Sequence, residues 1–254
     1  MKRFYRIDHE GTPRHAIEED GRWRLLDGDL FGRYQAGKEI DAPASVLAPV
    51  LPSKIVAIGL NYKDHAAEQG KPLPPEPMIF IKPSTAVIGP GEAIVIPDGV
   101  GRVDHEAEAG VVIGRRARHV REQDARQYVL GLTCVNDVTA RELQKKDVQY
   151  TRAKGFDTFA PIGPCVAEID YHADGGVAVE GWVNGDRRQA SATRELIFSI
   201  DRLIAFVSAV MTLLPGDIIS TGTPAGIGPL AAGDRVTVKV AGVGELINPV
   251  TAGG

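Results

Sequence analysis

Long apolar runs are missing from this chain of 254 residues, and no window approaches the roughly 18 consecutive apolar residues that a membrane span requires. The N-terminus, Met1-Lys2-Arg3-Phe4-Tyr5-Arg6, also lacks the apolar core of a signal peptide, so a soluble cytoplasmic protein is expected. Cysteine is scarce. Cys134 and Cys165 lie in apolar stretches without metal-ligand or redox spacing and read as small buried hydrophobes in a reducing compartment. Basic charge is not in excess either. The formal net charge is −4 and lysine and arginine are scattered, which argues against a nucleic acid or an anionic membrane as partner. The densest basic cluster, Arg115-Arg116-Ala117-Arg118-His119, is offset by Glu122 and Asp124 and reads as solvated surface.

What the chain has is strand-forming sequence and enough length to bury a sizeable core. Over residues 4–26, alternating pieces such as Arg14-His15-Ala16-Ile17-Glu18 and Arg22-Trp23-Arg24-Leu25-Leu26 are broken by Glu10-Gly11-Thr12-Pro13 and Glu19-Asp20-Gly21, the pattern of a small β-meander. Residues 37–52 are polar, contain proline and read as a connection. That divides the chain into a small N-terminal β domain, 1–50, packed as an appendage on a main domain, 51–254. The main domain begins with a buried strand, Ile55-Val56-Ala57-Ile58, and a short helix capped by Asn61 that stops at Gly70-Lys71-Pro72. Further strands are predicted at 78–82, 93–96, 106–113, 128–135, 177–183, 217–221 and 234–240, with Asn184-Gly185 as a hairpin turn. An amphipathic helix is predicted from its cap at Ser199 to residue 214, where Pro215-Gly216 ends it, and a shorter one over 139–150. Strands outnumber helices without alternating with them, so the predicted fold is α+β on a mixed β-sheet roll or barrel.

Two glutamates one residue apart carry the strongest chemical signal. In Asp104-His105-Glu106-Ala107-Glu108-Ala109, an extended strand points Glu106 and Glu108 one way and the alanines the other. Val111-Val112-Ile113 continues the segment as a run apolar on both faces, as in a buried strand. Like charges about 5 to 7 Å apart on a poorly solvated surface raise one another's pKa, and a doubly charged ion removes that cost. Asp137, after the apolar run 130–136, offers a third oxygen donor, although an aspartate at a strand end is also an ordinary turn former. Oxygen donors suit Mg2+ or Mn2+, with Ca2+ as the alternative. Asp104 shares the parity of the glutamates but is taken as a turn residue.

The order of motifs resembles the fumarylacetoacetate hydrolase family from about Pro52 to the C-terminus. The resemblance rests on Gly59-Leu60-Asn61-Tyr62-Lys63-Asp64-His65-Ala66-Ala67-Glu68, Ile79-Phe80-Ile81-Lys82-Pro83-Ser84, His105-Glu106-Ala107-Glu108, Asn136-Asp137-Val138-Thr139-Ala140-Arg141, Lys154-Gly155-Phe156-Asp157-Thr158-Phe159-Ala160-Pro161 and Ser220-Thr221-Gly222-Thr223-Pro224. It implies a β-roll, a homodimer and a metal held by Glu106, Glu108 and Asp137. It also implies action on 2-oxo or 2,4-dioxo acids through an enolate, which a divalent ion stabilises when the substrate chelates it.

His65 and Glu68 are three apart on the predicted helix and share a face. A carboxylate accepting the imidazole N–H fixes the tautomer and leaves the other nitrogen to take a proton, the work a His-x-x-Glu pair does in the family's acylpyruvate hydrolases and oxaloacetate decarboxylases. By the same resemblance Lys154 stabilises charge on a substrate oxygen, Arg141 contacts a substrate carboxylate and Gln144 orients the carbonyl or water. Thr223, in a Gly-Thr-Pro turn, holds a carboxylate, while Lys82 and Tyr62 line the pocket. With the resemblance set aside, a solvated loop is the better account of Lys154, an ordinary surface helix accounts equally well for Arg141 and Gln144, and turn chemistry equally well for Thr223. The segment 63–77, with four prolines, reads as a lid. Acylpyruvate-type hydrolysis or oxaloacetate-type decarboxylation leads, with 2-hydroxyhepta-2,4-diene-1,7-dioate isomerisation in aromatic catabolism as an alternative and an inactive metal or keto-acid binding protein as another.

Overall fold

The computed structural model describes residues 1–253. Its main sheet has twelve strands, and the strand apolar on both faces lies inside it. Ala107–Ile113 is buried at every position and pairs antiparallel with Val129–Asn136 on one side and Ile218–Ser220 on the other. Beyond Val129–Asn136 come Ala160–Ala167, Lys2–His9, Thr12–Glu19, Arg22–Gly28 and Tyr34–Ile40. Beyond Ile218–Ser220 come Lys54–Gly59, which runs parallel to it, and Met78–Pro83, so the sheet is mixed. The sheet stays open between its edges Tyr34–Ile40 and Met78–Pro83.

The meander expected near the N-terminus forms, with a fourth strand added. Lys2–His9 pairs with Ala160–Ala167 through Phe4 and Val166, so the meander continues the main sheet. Phe4, Ile17 and Leu26 share a core with Val135, Ile162 and Val166. A second sheet of five strands, ordered Asp186–Ala192, Ala178–Val183, Arg235–Val240, Gly244–Ala252 and Ile94–Ile96, supplies the facing layer. Its Val179, Val238 and Val240 pack with Ala107, Ala109 and Val111. Each valine so taken out of water stabilises the fold by about 1.5 to 3 kcal/mol. The hairpin turn at Asn184-Gly185 has both φ angles positive, at 53° and 87°, which suits asparagine followed by glycine.

Four short helices connect these strands. Helix α1, Lys63–Glu68, begins after Tyr62, and Asn61 does not cap it. The Asn61 amide donates instead to the carbonyls of Thr221 and Phe198 while its oxygen accepts from Phe198 N, pinning the loop before α1 to two other segments. Helix α2, Arg141–Asp147, and helix α3, Thr151–Lys154, replace the single helix expected over 139–150. Helix α4, Ile200–Val210, is capped by Ser199 as expected and buries Ile200, Leu203, Ile204 and Val207 on one stripe. It stops before residue 214, because Leu213 exchanges two backbone hydrogen bonds with Ala117 and is drawn into a β-bridge. Among the described residues no helix is long and apolar enough to cross a membrane.

Candidate active site

The extended segment that carries the two glutamates is interrupted at Glu106, between Val103–His105 and Ala107–Ile113. Here the Glu106 amide donates to Asn136 Oδ1 at 3.0 Å and its carbonyl accepts from Asp137 N at 2.9 Å, which draws Asp137 against the glutamates. Glu106, Glu108 and Asp137 are all buried, and one carboxylate oxygen of each lies within 4.8 Å of the others. Glu108 Oε2 accepts from Ser220 Oγ at 2.6 Å and from Gly222 N at 2.9 Å.

Three cations surround the acids unevenly. The Lys154 ammonium donates to Glu106 Oε2 at 2.7 Å and Asp137 Oδ2 at 2.5 Å. Arg141 donates to the other Glu106 oxygen, and Lys82 Nζ to Asp137 Oδ1 at 2.6 Å and the Val138 carbonyl at 3.1 Å. Glu108 has no cationic partner among the described residues. Burial works to raise the Glu106 pKa, yet Lys154 and Arg141 outweigh it and hold the carboxyl well below the usual range. Glu108 goes the other way. Burial, and then the neighbouring Asp137 and Glu106 charges, push it up to about 8. Burial disfavours both ammonium charges. Asp137 and Glu106 overcome that at Lys154, whose pKa rises, whereas at Lys82 they offset only part and the pKa falls.

Whether these residues fit a metal turns on the lysine and arginine contacts, because a carboxylate wholly consumed by ion pairs is no ligand. Each carboxylate oxygen has two lone pairs, so one donor per oxygen leaves a lobe for a cation and becomes the hydrogen bond that orients the ligand. Glu106 and Asp137 carry one donor on each oxygen, and Glu108 Oε1 carries none among the described residues. The carboxylate left without a counter-charge faces the same cluster. An all-oxygen, buried donor set with one uncompensated anion fits a hard divalent ion.

These acids line a cavity of about 600 Å3 that His65, Lys154, Arg141, Gln144 and Thr223 also line. On α1, His65 Nδ1 lies 2.8 Å from Glu68 Oε2, and Glu68 Oε1 accepts from Gly226 N at 2.9 Å. The paired carboxylate fixes the proton on Nδ1 and leaves Nε2 as the basic nitrogen. His65, Gln69, Lys71 and Pro74, all from the segment read as a lid, form part of one wall.

Two expected pocket residues stand elsewhere. Lys82 is fully buried behind Asp137 and does not line the cavity, since its position on Met78–Pro83 turns it toward the Asp137-Val138 corner. Tyr62 is likewise fully buried and packs in the apolar cluster with Ile58 and Leu196. Asp104 is a strand residue and not a turn former: Arg102 binds it through two nitrogens at 2.6 and 3.0 Å and Arg141 Nε at 2.8 Å. The contacts of Ser220 with Glu108 and of Gln189 with Ala107 were not readable from the sequence, because the partners lie 112 and 82 residues apart.

The family model for fumarylacetoacetate (FAA) hydrolase, C-terminal, matches residues 54–251. An oxaloacetate tautomerase of mitochondria from Xenopus laevis is 42% identical over 217 residues, covering 81% of this chain and 68% of its own. The crystal structure of a 2-hydroxyhepta-2,4-diene-1,7-dioate isomerase from Mycobacterium marinum superposes with a TM-score of 0.91 at 38% identity over 100% of both chains. A maleylpyruvate hydrolase from Sphingobium, solved in complex with manganese (II) ion and pyruvate, gives a TM-score of 0.82 at 31% identity over 99% of this chain and 100% of its own.

Proposed function

Because the chain belongs to the fumarylacetoacetate hydrolase family, we propose that it is a Mg2+- or Mn2+-dependent enzyme acting on 2-oxo or 2,4-dioxo acids through an enolate, with acylpyruvate-type carbon-carbon hydrolysis or oxaloacetate-type decarboxylation as the reaction. The observation that carries this reading is a single cavity lined both by His65, which Glu68 holds, and by Glu106, Glu108 and Asp137. A divalent ion held by those three carboxylates would withdraw electrons from the 2-oxo acid and favour the enolate.

The remaining work falls to side chains. Glu68 holds His65 with Nε2 free, so that nitrogen takes a proton from water or from carbon and returns it to the product. Lys154 has three N–H bonds, of which two serve Glu106 and Asp137, so one remains for an oxygen on which negative charge develops. Arg141 is held by Asp104, Glu106 and Gln144 and keeps two N–H bonds for a substrate carboxylate. Gln144 uses its oxygen to accept from Arg141, which leaves its NH2 to donate to a ligand. The Thr223 hydroxyl proton goes to the Ala107 carbonyl at 3.0 Å, so Thr223 meets a ligand with its backbone N–H and not with its hydroxyl proton.

The whole-length likeness to a dioate isomerase favours a second reading, in which His65 moves a proton from the enol oxygen to carbon without recruiting water. A homodimer belongs to the proposal as well. Met78–Pro83 ends the main sheet with Met78 and Ile81 exposed, an apolar edge that a second copy would cover. The deciding experiment incubates the protein and Mg2+ with acylpyruvates and oxaloacetate, following loss of enol absorbance, release of CO2 and formation of the free acid separately. Acid formation supports hydrolysis, CO2 supports decarboxylation, and enol-keto exchange alone supports the isomerase. No turnover with metal bound would sink the enzyme reading.

A further inference from the structure

Two buried groups of this chain sit beside the acid cluster without entering it: the carboxamide of Gln189 and the imidazole of His105. Gln189 lies on Asp186–Ala192, a strand of the second sheet whose neighbouring residues Arg188 and Ala190 are exposed, while Gln189 itself is only 1% exposed. Its strand does not touch the glutamates through its backbone. The side chain reaches across instead.

Gln189 Oε1 accepts from Ala107 N at 2.9 Å, and Gln189 Nε2 donates to the Pro224 carbonyl and to Thr223 Oγ1, each at 2.7 Å. One backbone donor and one backbone acceptor therefore dictate which end of the amide is oxygen and which is nitrogen. That assignment settles the other protons. His105 Nδ1, 3.1 Å from Gln189 Oε1, carries its hydrogen toward that oxygen, and Thr223, receiving a hydrogen from Gln189, passes its own to the Ala107 carbonyl. Both backbone groups of Ala107 are thus held by side chains, Gln189 on the N–H and Thr223 on the carbonyl.

Ala107 is the residue between Glu106 and Glu108, so whatever fixes its two peptide units fixes the directions in which both carboxylates leave the strand. On this flank the ladder has run out, because pairing with Ile218–Ser220 begins only at Gly110. Gln189 and Thr223 take the place of the missing strand. The fit is specific. A Cβ on Gly181 would stand 2.7 Å from Gln189 Oε1, and one on Gly226 would stand 2.0 Å from the Arg188 carbonyl, at a φ of 99° that favours glycine. Gly226 is also the residue whose N–H holds Glu68, so the loop clamped at Thr223 and Pro224 reaches the His65–Glu68 pair two residues later.

From this geometry we infer that Gln189 is a positioning residue for the active site, holding Glu106 and Glu108 at the spacing a divalent ion requires and anchoring the Thr223–Gly226 loop. The inference rests on the proposed metal dependence for its ligand and on the hydrogen bonds alone for its structural part, and two measurements keep these apart. The first is Mn2+ affinity from the electron paramagnetic resonance signal of free Mn2+, for the wild type, Gln189→Met and Gln189→Asn. Methionine matches the length without a polar group, and asparagine keeps the amide but is one methylene too short to span Ala107 and Pro224. Both variants are expected to weaken Mn2+ binding by at least tenfold while the melting temperature measured without metal stays within several degrees of wild type. The second is amide hydrogen exchange without metal, in which the peptides covering Ala107 and Thr223–Gly226 should lose protection in both variants and the Ile200–Val210 helix should not. Wild-type Mn2+ affinity in both variants would overturn the role at the ligands, and unchanged protection of Ala107 would overturn the positioning itself. A wild type that binds no Mn2+ would strike the proposed function, and the exchange result would still decide the clamp.

Discussion

Glu108→Gln tests the electrostatics of the acid cluster, because glutamine copies the protonated carboxyl and still accepts from Ser220 and Gly222. Burial and the charges of Asp137 and Glu106 raise the Glu108 pKa from the model-peptide value of 4.5 to about 8 in the folded, metal-free protein. The folded state therefore holds a proton that the unfolded chain releases above 4.5. Stability from this group is complete below that pH, falls as pH rises toward 8 and levels off above it. Each unit in that window is worth about 1.36 kcal/mol, so at pH 7 the metal-free wild type is destabilised by about 3 kcal/mol relative to its protonated form, and at pH 5 by less than about 1 kcal/mol. Urea denaturation in EDTA should accordingly find Glu108→Gln more stable than wild type by about 3 kcal/mol at pH 7, with the gap nearly closed at pH 5. Added Mg2+ or Mn2+ should stabilise the wild type and leave the variant unmoved. Equal urea midpoints at pH 7, or a gap that does not change with pH, would refute the claim that Glu108 is the uncompensated anion.

Metal binding to the wild type at pH 7 should release about 0.9 of a proton per ion, from a group with pKa about 8, and almost none at pH 9. Calorimetry in buffers of different ionisation enthalpy measures that number, and zero at pH 7 would contradict it. His65→Ala should lower kcat by about 10^2- to 10^4-fold with Mn2+ affinity unchanged, because His65 meets Glu68 and not the carboxylate cluster. Lys154→Met should cost about 3 to 5 kcal/mol without metal, since it leaves the buried Glu106 and Asp137 short of a shared cation, and bound metal should restore much of that loss. An unchanged denaturation midpoint in EDTA would count against the ion-pair account.

Much of the site was legible because its parts are local patterns. Glu106, at the break before Ala107–Ile113, and Glu108 within that strand are two residues apart and both join the acid cluster, as the period of two leads one to expect, while His65 and Glu68 share a helix face by their spacing. Ser199 as a cap and Asn184-Gly185 as a turn are equally local. Lys82 misled because a charge at the end of an apolar strand marks burial of a partner as readily as exposure to a pocket, and here the partner is Asp137. Asn61 misled because its amide found two carbonyls 137 and 160 residues away before it found its own helix.

By itself the sequence determined that strands dominate the fold, that a buried apolar segment carries two carboxylates one residue apart, and that a histidine and a glutamate meet on α1. Tertiary structure alone decided that Asp137 is drawn to Glu106 through a backbone hydrogen bond, and that three cations settle on two of the acids and leave Glu108 without one. The Gln189 clamp on Ala107 belongs with these. The physical reason is range. Strand alternation and helix spacing act over a few residues, whereas the balance of charge in a buried cluster depends on which distant side chains the sheet order places within about 3 Å of it.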